Sequence, residues 1–413
     1  MSYTIRGLEA KILAEMGRYG AMLVTGPRQA GKSTLLRHVA RKMWGDNWSK
    51  FSFDTPSDIA AFRQDPDLFF LNHPGPLLLD EVQNVPDIFP WLKKHVDHNP
   101  GVTKFLLTGS QHFAMMHGVA ESMAGRVLVL DLFPLAQKEL HGASVRETVE
   151  GLLDPQHLVP LLGKTFASSD TDAVFPAMLR GGYPAQAIQN LGSSWFSSYR
   201  TTYLQRDIVS LGHVQNLGSF DRFLVLCAGL SGTIPNKANL ADNLGIDAKT
   251  VDNWLGLLDA GYQILQLPAW SHNTSKRVVK RPKLIFGDCG LALHLQAIRA
   301  EDALFAAPHF GNMFEGWVIM EIRKLFGCAA IDFDAYHWRT SNGQECDLVL
   351  RSAGKLIPIE IKHTASPNSN DVKGLIAFRK EYKESGLGIL ISMKPTVQWI
   401  APGILNVPVG LLI

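Results

Sequence analysis

Cysteine is scarce and scattered. The four in this 413-residue chain, Cys227, Cys289, Cys328 and Cys346, form no Cys-x-x-Cys pair, which argues against a zinc cluster and against a disulfide framework. Long hydrophobic runs are missing too, so no bilayer-spanning helix is expected and a membrane is not among the expected partners. The first ten residues carry charges and lack the apolar core of a signal peptide. A reducing cytoplasm is therefore the expected location. An excess of one sign of charge is also absent: 40 Lys and Arg against 38 Asp and Glu give a formal net charge of +2. That balance excludes a global pull toward nucleic acid or acidic membrane and leaves only local basic patches. What is present is an ordinary globular composition, 46% hydrophobic and 19% charged, long enough for two or three domains with substantial cores.

The most specific stretch is Gly26-Pro27-Arg28-Gln29-Ala30-Gly31-Lys32-Ser33-Thr34, which fits Gly-x-x-x-x-Gly-Lys-[Ser/Thr]. Residues 21–25 before it read as a short buried strand, and residues 33–44 after it as a helix with one apolar face. That setting turns a glycine-rich turn into a phosphate cradle. The glycines let successive N–H groups point into one concavity, and the helix N-terminus adds its positive end. All nine residues are thus read as nucleotide-binding. Lys32 reaches the β- and γ-phosphates of ATP, and Ser33 holds Mg²⁺.

A second element supports the first. Pro76-Leu77-Leu78-Leu79-Asp80-Glu81 reads as a buried parallel strand with two carboxylates at its C-terminal end. Ligands bind outside that end of the strands in an open α/β sheet. Asp80 is assigned to Mg²⁺ and Glu81 to the water that attacks the γ-phosphate. A third strand, 104–108, runs into Gly109-Ser110-Gln111. Ser110, with Gln111 as second choice, senses the γ-phosphate or places the water; the simpler reading is an ordinary strand-to-loop turn. Arg126 opens the strand 127–131. An arginine there stabilises transition-state charge in cis or from a neighbouring subunit, or else forms a surface ion pair.

Strands at 21–25, 50–53, 77–80, 104–108 and 127–131 alternate with helical segments, which predicts a parallel sheet with helices on both faces. The pattern from 195 to 230 is helical. Helices at 237–243 and 250–260 then flank a turn at 244–247, with Gly261 as C-cap. Strands at 262–267 and 283–286 complete a winged helix, with 275–283 as a basic wing able to neutralise phosphates. The second helix carries Asp252 and Asp259, preceded by Asp242 and Asp247, against one base, Lys249. Base readout in a major groove is therefore disfavoured, and a structural or oligomerising role is expected.

The last segment holds a second chemical pattern. Asp347 sits in a strand at 344–350, and Glu360-x-Lys362 ends the returning strand at 356–362. That is the pattern of the PD-(D/E)-x-K nuclease-like fold. Residues two apart on a strand share a face, so Glu360 and Lys362 point the same way and the hairpin brings Asp347 beside them. Asp347 and Glu360 are read as oxygen ligands of Mg²⁺. Lys362 orients or activates the attacking water, or stabilises developing charge. A preceding helix at 314–326 offers Glu315 and Glu321 as a further ligand. The alternative is a strand pair with solvated charged edges.

As a whole the chain resembles the bacterial and archaeal AAA-type ATPases that carry an uncharacterised C-terminal domain. The likeness rests on Thr25 through Thr34, Leu79-Asp80-Glu81-Val82-Gln83, Leu107-Thr108-Gly109-Ser110-Gln111 and Ala124-Gly125-Arg126-Val127. Leu132-Phe133-Pro134-Leu135 with Glu139, Gly181-Gly182-Tyr183-Pro184, and the block 344–362 complete it. The resemblance implies an α/β protein with a P-loop NTPase parallel sheet (1–140), a helical and winged-helix middle region (141–295) and a C-terminal nuclease-like α/β domain (296–413). It implies that Lys32, Ser33, Asp80 and Glu81 carry nucleotide hydrolysis, and that Asp347, Glu360 and Lys362 stand at nuclease-like positions. The expected function is a Mg²⁺-dependent ATPase whose nucleotide state controls a C-terminal domain acting on or binding DNA or another nucleic acid. The alternative is an ATP-dependent oligomerisation or signalling switch with a non-catalytic, protein-binding C-terminal module. A homo-oligomer is among the expected assemblies.

Overall fold

Strands β1 (Ala21–Thr25), β2 (Ser49–Ser52), β3 (Leu77–Asp80), β4 (Phe105–Thr108) and β5 (Val127–Asp131) form one sheet in the order β2-β3-β4-β1-β5. Every pairing in it is parallel. The computed structural model describes residues 3–99, 101–110, 123–166, 172–208, 214, 216–272, 280–329 and 331–413. The chain divides into two units, Met1–Pro134 with Ala260–Tyr262, and Leu135–Asp259 with Gln263–Ile413.

In the first unit the strands are apolar on both faces, as a sheet covered on both sides requires. Ala21 and Leu23, Leu77 and Leu79, and Phe105 and Leu107 face one core with Phe62, Phe69, Phe70, Phe89 and Leu92. Those aromatics come from α3 (Pro56–Gln64), α4 (Pro66–Asn72) and α5 (Phe89–His98). Met22, Val24, Leu78 and Leu106 face a second core with Leu8 and Ile12 of α1 (Leu8–Ala14) and Leu35, Leu36 and Val39 of α2 (Lys32–Trp44). The parallel register ends all five strands on one side, and β1 enters the glycine-rich loop there.

The second unit holds six strands, β8 (Asp334–Arg339), β9 (Glu345–Ser352), β10 (Lys355–Lys362), β11 (Gly388–Ser392), β12 (Gln398–Ala401) and β13 (Ile404–Pro408), in the order β12-β13-β11-β10-β9-β8. The β8-β9-β10 run is an antiparallel meander, and β11 joins β10 in parallel. A long helix, Phe310–Ala329, places Phe314, Trp317 and Val318 against Leu348, Ile357, Ile359 and Ile389. On the opposite face the helix Lys373–Glu381 places Leu375 and Phe378 against Val349, Leu356 and Leu390. The element order is thus helix, three meander strands, helix, parallel strand.

The same unit contains the helix–turn–helix and strand pair expected from the sequence. Helices Lys237–Leu244 and Ala248–Ala260 flank the turn. The Asp247 carboxylate accepts the Thr250 N–H at 2.8 Å, an N-cap of the kind that starts a helix. Val251, Trp254, Leu255 and Leu258 are buried, as their spacing predicts. Strands β6 (Ile264–Leu267) and β7 (Lys283–Phe286) pair antiparallel. Residues 275–279 of the expected wing lie outside the described residues. Asp242, Asp247, Asp252, Asp259 and Lys249 are exposed. The helical stretch 195–230 is not one helix. It is Ser193–Thr202, running into a π-helical turn at Tyr203–Ile208, and then Leu217–Gly229. The Asn216 side chain accepts the Ser219 N–H and starts the latter anew. Among the described residues no helix is long and apolar enough to cross a membrane.

Candidate nucleotide site and carboxylate cluster

The loop between β1 and α2 has the geometry of a phosphate cradle. Gly26 has φ +138°, and a Cβ there would lie 2.1 Å from the Leu132 carbonyl oxygen, so only glycine fits. Gly31 has φ +98° and starts α2. Arg6 braces the loop, donating to the carbonyls of Ala30 (2.9 Å) and Phe133 (2.7 Å). Lys32 is buried, and its ammonium donates to the carbonyls of Gly26 (2.9 Å) and Pro27 (2.8 Å). At the first helical turn Ser33 Oγ donates to Asp80 Oδ1 at 2.7 Å.

Asp80 is buried at the end of β3. Besides Ser33 it takes the Thr108 hydroxyl and, at 3.2 Å, the Lys50 ammonium. A hydroxyl and a carboxylate are hard oxygen donors that suit Mg²⁺, which keeps several waters and substrate phosphates in its shell. Among the described residues no three His, Cys, Asp or Glu side chains are grouped so as to hold a metal ion. Glu81 follows with φ +58°, left-handed for a non-glycine residue, a strain typical of functional turns. Its N–H donates to Thr108 Oγ1 at 3.0 Å. Gln83 Nε2 donates to Glu81 Oε2 and, at 3.1 Å, to Ser110 Oγ; Ser110 Oγ is itself 3.3 Å from Glu81 Oε2. Lys32, Ser33, Asp80, Glu81 and Ser110 therefore converge at the C-terminal ends of β1, β3 and β4. Gln111 lies outside the described residues.

Arg126 is not brought there within its own chain. It precedes Val127, which pairs with Ala21 at the start of β1, about 17 Å of strand from the loop. Its guanidinium instead pairs with Asp97 at 2.5 Å. Sequence reading missed Gln83, Thr108 and Lys50. It also missed Tyr262, whose hydroxyl lies 2.9 Å from Thr25 Oγ1 and 2.7 Å from Asp131 Oδ1. Gln83 had a signal, since it lies two residues beyond the acidic pair. Tyr262 had none, being more than a hundred residues away.

In the second unit the β9–β10 ladder ends at the pair Ile359↔Leu348. Asp347 lies just past that end, and its Oδ2 accepts the Ile361 N–H at 2.9 Å. Lys362 Nζ is 2.6 Å from Glu360 Oε1 and 3.9 Å from Asp347 Oδ2. The long helix contributes Glu315. Glu321, the other acid on that helix, faces elsewhere: it pairs with Lys324 at 2.7 Å and accepts the Gln137 N–H at 3.0 Å. A residue that the sequence reading placed in the basic, phosphate-neutralising wing is instead buried and completes the cluster. Lys283, from β7, lies 2.6 Å from Glu315 Oε1 and 3.5 Å from Asp347 Oδ1.

Burial, then the Asp347 charge, push the Glu315 carboxyl up to about 8 and raise Glu360 well above the carboxylate range. Burial opposes the charge on Lys283, but Glu315 and Asp347 outweigh it and the ammonium is held. The same balance, set by Asp347 and Glu360, raises Lys362. His337, buried nearby, is driven down to about 4 by burial and by Lys283.

The family described as an AAA domain matches residues 18–141; two domains of unknown function, DUF8612 and DUF4143, match 171–302 and 310–412. The uncharacterised protein Rv2008c of Mycobacterium tuberculosis is 31% identical over 367 residues, 88% of this chain and 75% of that protein. An uncharacterised protein of Haemophilus influenzae is 21% identical over 387 residues, 88% of this chain and 87% of its own. Among solved structures, the Walker-type ATPase PABY2304 of Pyrococcus abyssi aligns with a TM-score of 0.42 at 16% identity, over 71% of this chain and 96% of that one. This chain belongs to the family of Rv2008c and carries an AAA-type P-loop domain.

Proposed function

We propose that the chain is a Mg²⁺-dependent ATPase whose nucleotide state controls the C-terminal unit. The observation that carries this reading is the meeting of Lys32, Ser33, Asp80 and Glu81 at one end of one parallel sheet. Residues 26–34 cradle the phosphates through their N–H groups. The Lys32 ammonium exchanges two neutral carbonyls for the more strongly accepting β- and γ-phosphate oxygens. Ser33 and Asp80 hold Mg²⁺, which supplies neutralisation of phosphate charge. Glu81 accepts hydrogen bonding from the attacking water and orients it, while Gln83 and Ser110 fix its carboxylate. Arg126 acts, in this reading, on the site of a neighbouring subunit.

The C-terminal reading is a nuclease-like domain over 296–413 that processes or binds nucleic acid, preceded by a winged-helix region within 141–295. Supporting it are the αβββαβ element order and the meeting of Asp347, Glu360 and Lys362. One observation favours the second reading, an ATP-driven switch with a non-catalytic C-terminal module: the ammonium of Lys283 already satisfies Glu315 and Asp347. Steady-state ATP hydrolysis with and without single- and double-stranded DNA, with Lys32→Ala as blank, tests both. Stimulation by DNA supports the nucleic-acid reading. Turnover indifferent to DNA favours the switch, and turnover no higher than the blank sinks the ATPase assignment.

A further inference from the structure

In the first unit a cavity of about 580 Å³ lies between α4 and α5 at the N-terminal end of β4, the opposite end of that strand from Thr108. Its volume is that of a small-molecule pocket. Phe70 and Phe105 line it and are buried. Leu68 and Leu71 line it as well, but they stand in water, 49% and 74% exposed. Packing within the unit accounts for neither leucine, since α4 turns Phe69 and Phe70 to the core and leaves Leu68 and Leu71 outside it. Wet apolar side chains grouped around a cavity mark a place where an apolar group docks.

The polar groups of the cavity leave one cation without an acid. Asp65 accepts the Leu68 N–H at 2.9 Å, which sets its charge against the start of α4. Asp67 pairs with Lys94 at 2.8 Å. Lys104 lines the same cavity, and among the described residues its ammonium has no carboxylate or carbonyl partner. His95 lines it too, tilted against Phe70 with ring centroids 4.3 Å apart. Burial, then Lys94 and Lys104, hold that ring below its ordinary value, so at neutral pH it offers an uncharged donor or acceptor.

We propose that this cavity binds a small apolar monocarboxylate, with its hydrocarbon or aryl body on Phe70, Phe105, Leu68 and Leu71 and its carboxylate on Lys104. One ammonium matches one negative charge. A neutral ligand leaves Lys104 unpaired, and a dicarboxylate or phosphate ester brings a second negative charge toward Asp65 and Asp67. The apolar lining suits a body without further polar groups, which would lose water there and gain no partner. The inference is independent of ATP turnover, because the cavity shares no residue with 26–34, Asp80 or Glu81.

Isothermal titration calorimetry of the nucleotide-free, full-length protein tests it, with octanoate and phenylacetate each run beside its neutral amide, octanamide and phenylacetamide. Wild type is expected to bind at least one of the two carboxylates, one molecule per chain, and the matching amide at least about tenfold more weakly, the scale of a hydrogen bond to a charged group. Lys104→Met keeps an apolar stem and removes the ammonium, so it weakens the carboxylate at least about tenfold and leaves the amide unchanged. Leu71→Asp, at an exposed position outside the core, weakens both. Should Lys104→Met not fold, Leu71→Asp and the wild-type preference for carboxylate over amide decide. Failure of wild type to bind either carboxylate overturns the proposal. Equal affinity for carboxylate and amide overturns it too, as does carboxylate binding that a folded Lys104→Met or Leu71→Asp leaves unchanged.

Discussion

Ser33 Oγ donates to Asp80 Oδ1 at 2.7 Å, which ties the first turn of the helix after the phosphate loop to the end of β3, across the intervening β4. The link holds the two Mg²⁺-binding oxygens of the proposed site together before any nucleotide arrives. Preorganisation of this kind means that little rearrangement is needed at the moment of reaction.

Lys32→Ala removes the one ammonium in the loop. The expected result is a fall in ATP turnover of at least about 100-fold, the scale seen when a charge-stabilising donor is lost. The carbonyls of Gly26 and Pro27 that Lys32 now satisfies belong to the loop and to no strand or helix, so the far-ultraviolet circular dichroism should match wild type.

Gln83→Ala isolates positioning from chemistry. Gln83 touches Glu81 and Ser110, and in the proposed mechanism it meets no phosphate. Freed of it, Glu81 samples more orientations, so kcat should drop by about tenfold while KM for ATP changes little. Gln83→Glu, which restores bulk but repels Glu81, should not rescue kcat. A change confined to KM would show that Gln83 serves binding instead.

Tyr262→Phe tests the bond that Tyr262 makes, within the first unit, to the ends of β1 and β5. The hydroxyl lies within hydrogen-bond distance of both Thr25 and Asp131, which also bond each other at 2.6 Å. Removing it should cost about 1 kcal/mol, lowering the melting temperature by about 3 °C.

His337 sets an expected pH dependence. Its neutral ring lies 3.2 Å from the Arg281 carbonyl, and burial with Lys283 drives it from 6.5 to about 4. The unfolded chain therefore binds a proton between those values that the folded chain refuses, so stability rises with pH across that window. The group contributes stability above about pH 6.5 that is lost as pH falls toward 4; the full contribution is about 3 kcal/mol by the usual conversion. Urea unfolding of wild type and His337→Gln at pH 7 and pH 4.5 should show a wild-type loss on acidification that the variant mostly lacks. Parallel slopes would contradict the assignment.

The nucleotide half of the molecule was legible because its chemistry is local. The loop 26–34 is contiguous, and the apolar runs before Thr25, Asp80 and Thr108 mark β1, β3 and β4 by composition alone. Asp347, Glu360 and Lys362 were readable for a similar reason, since a hairpin keeps them near in sequence. Glu315 and Glu321 could not be separated by inspection. They are six residues apart on one helix, which turns them to different sides, and only packing decides which meets Asp347. Lys283 was hidden because β7 reads as part of the strand pair beside the helix–turn–helix, sixty-four residues before Asp347. The sequence left Arg126 open between a role in cis, a role in a neighbouring subunit and a surface ion pair; strand direction narrows the choice, because it enters β5 at the N-terminal end, while the phosphates of its own chain belong at the other.

Glu81→Gln tests the central claim most directly. It keeps the shape and the hydrogen bonds of the side chain and removes the charge that, in the proposed mechanism, orients the attacking water. ATP binding, measured by titration with a fluorescent analogue, should stay within a few-fold of wild type, while turnover falls by at least about 100-fold. Turnover at the wild-type rate with binding intact would contradict the assignment of Glu81 and, with it, the account of how this site hydrolyses ATP.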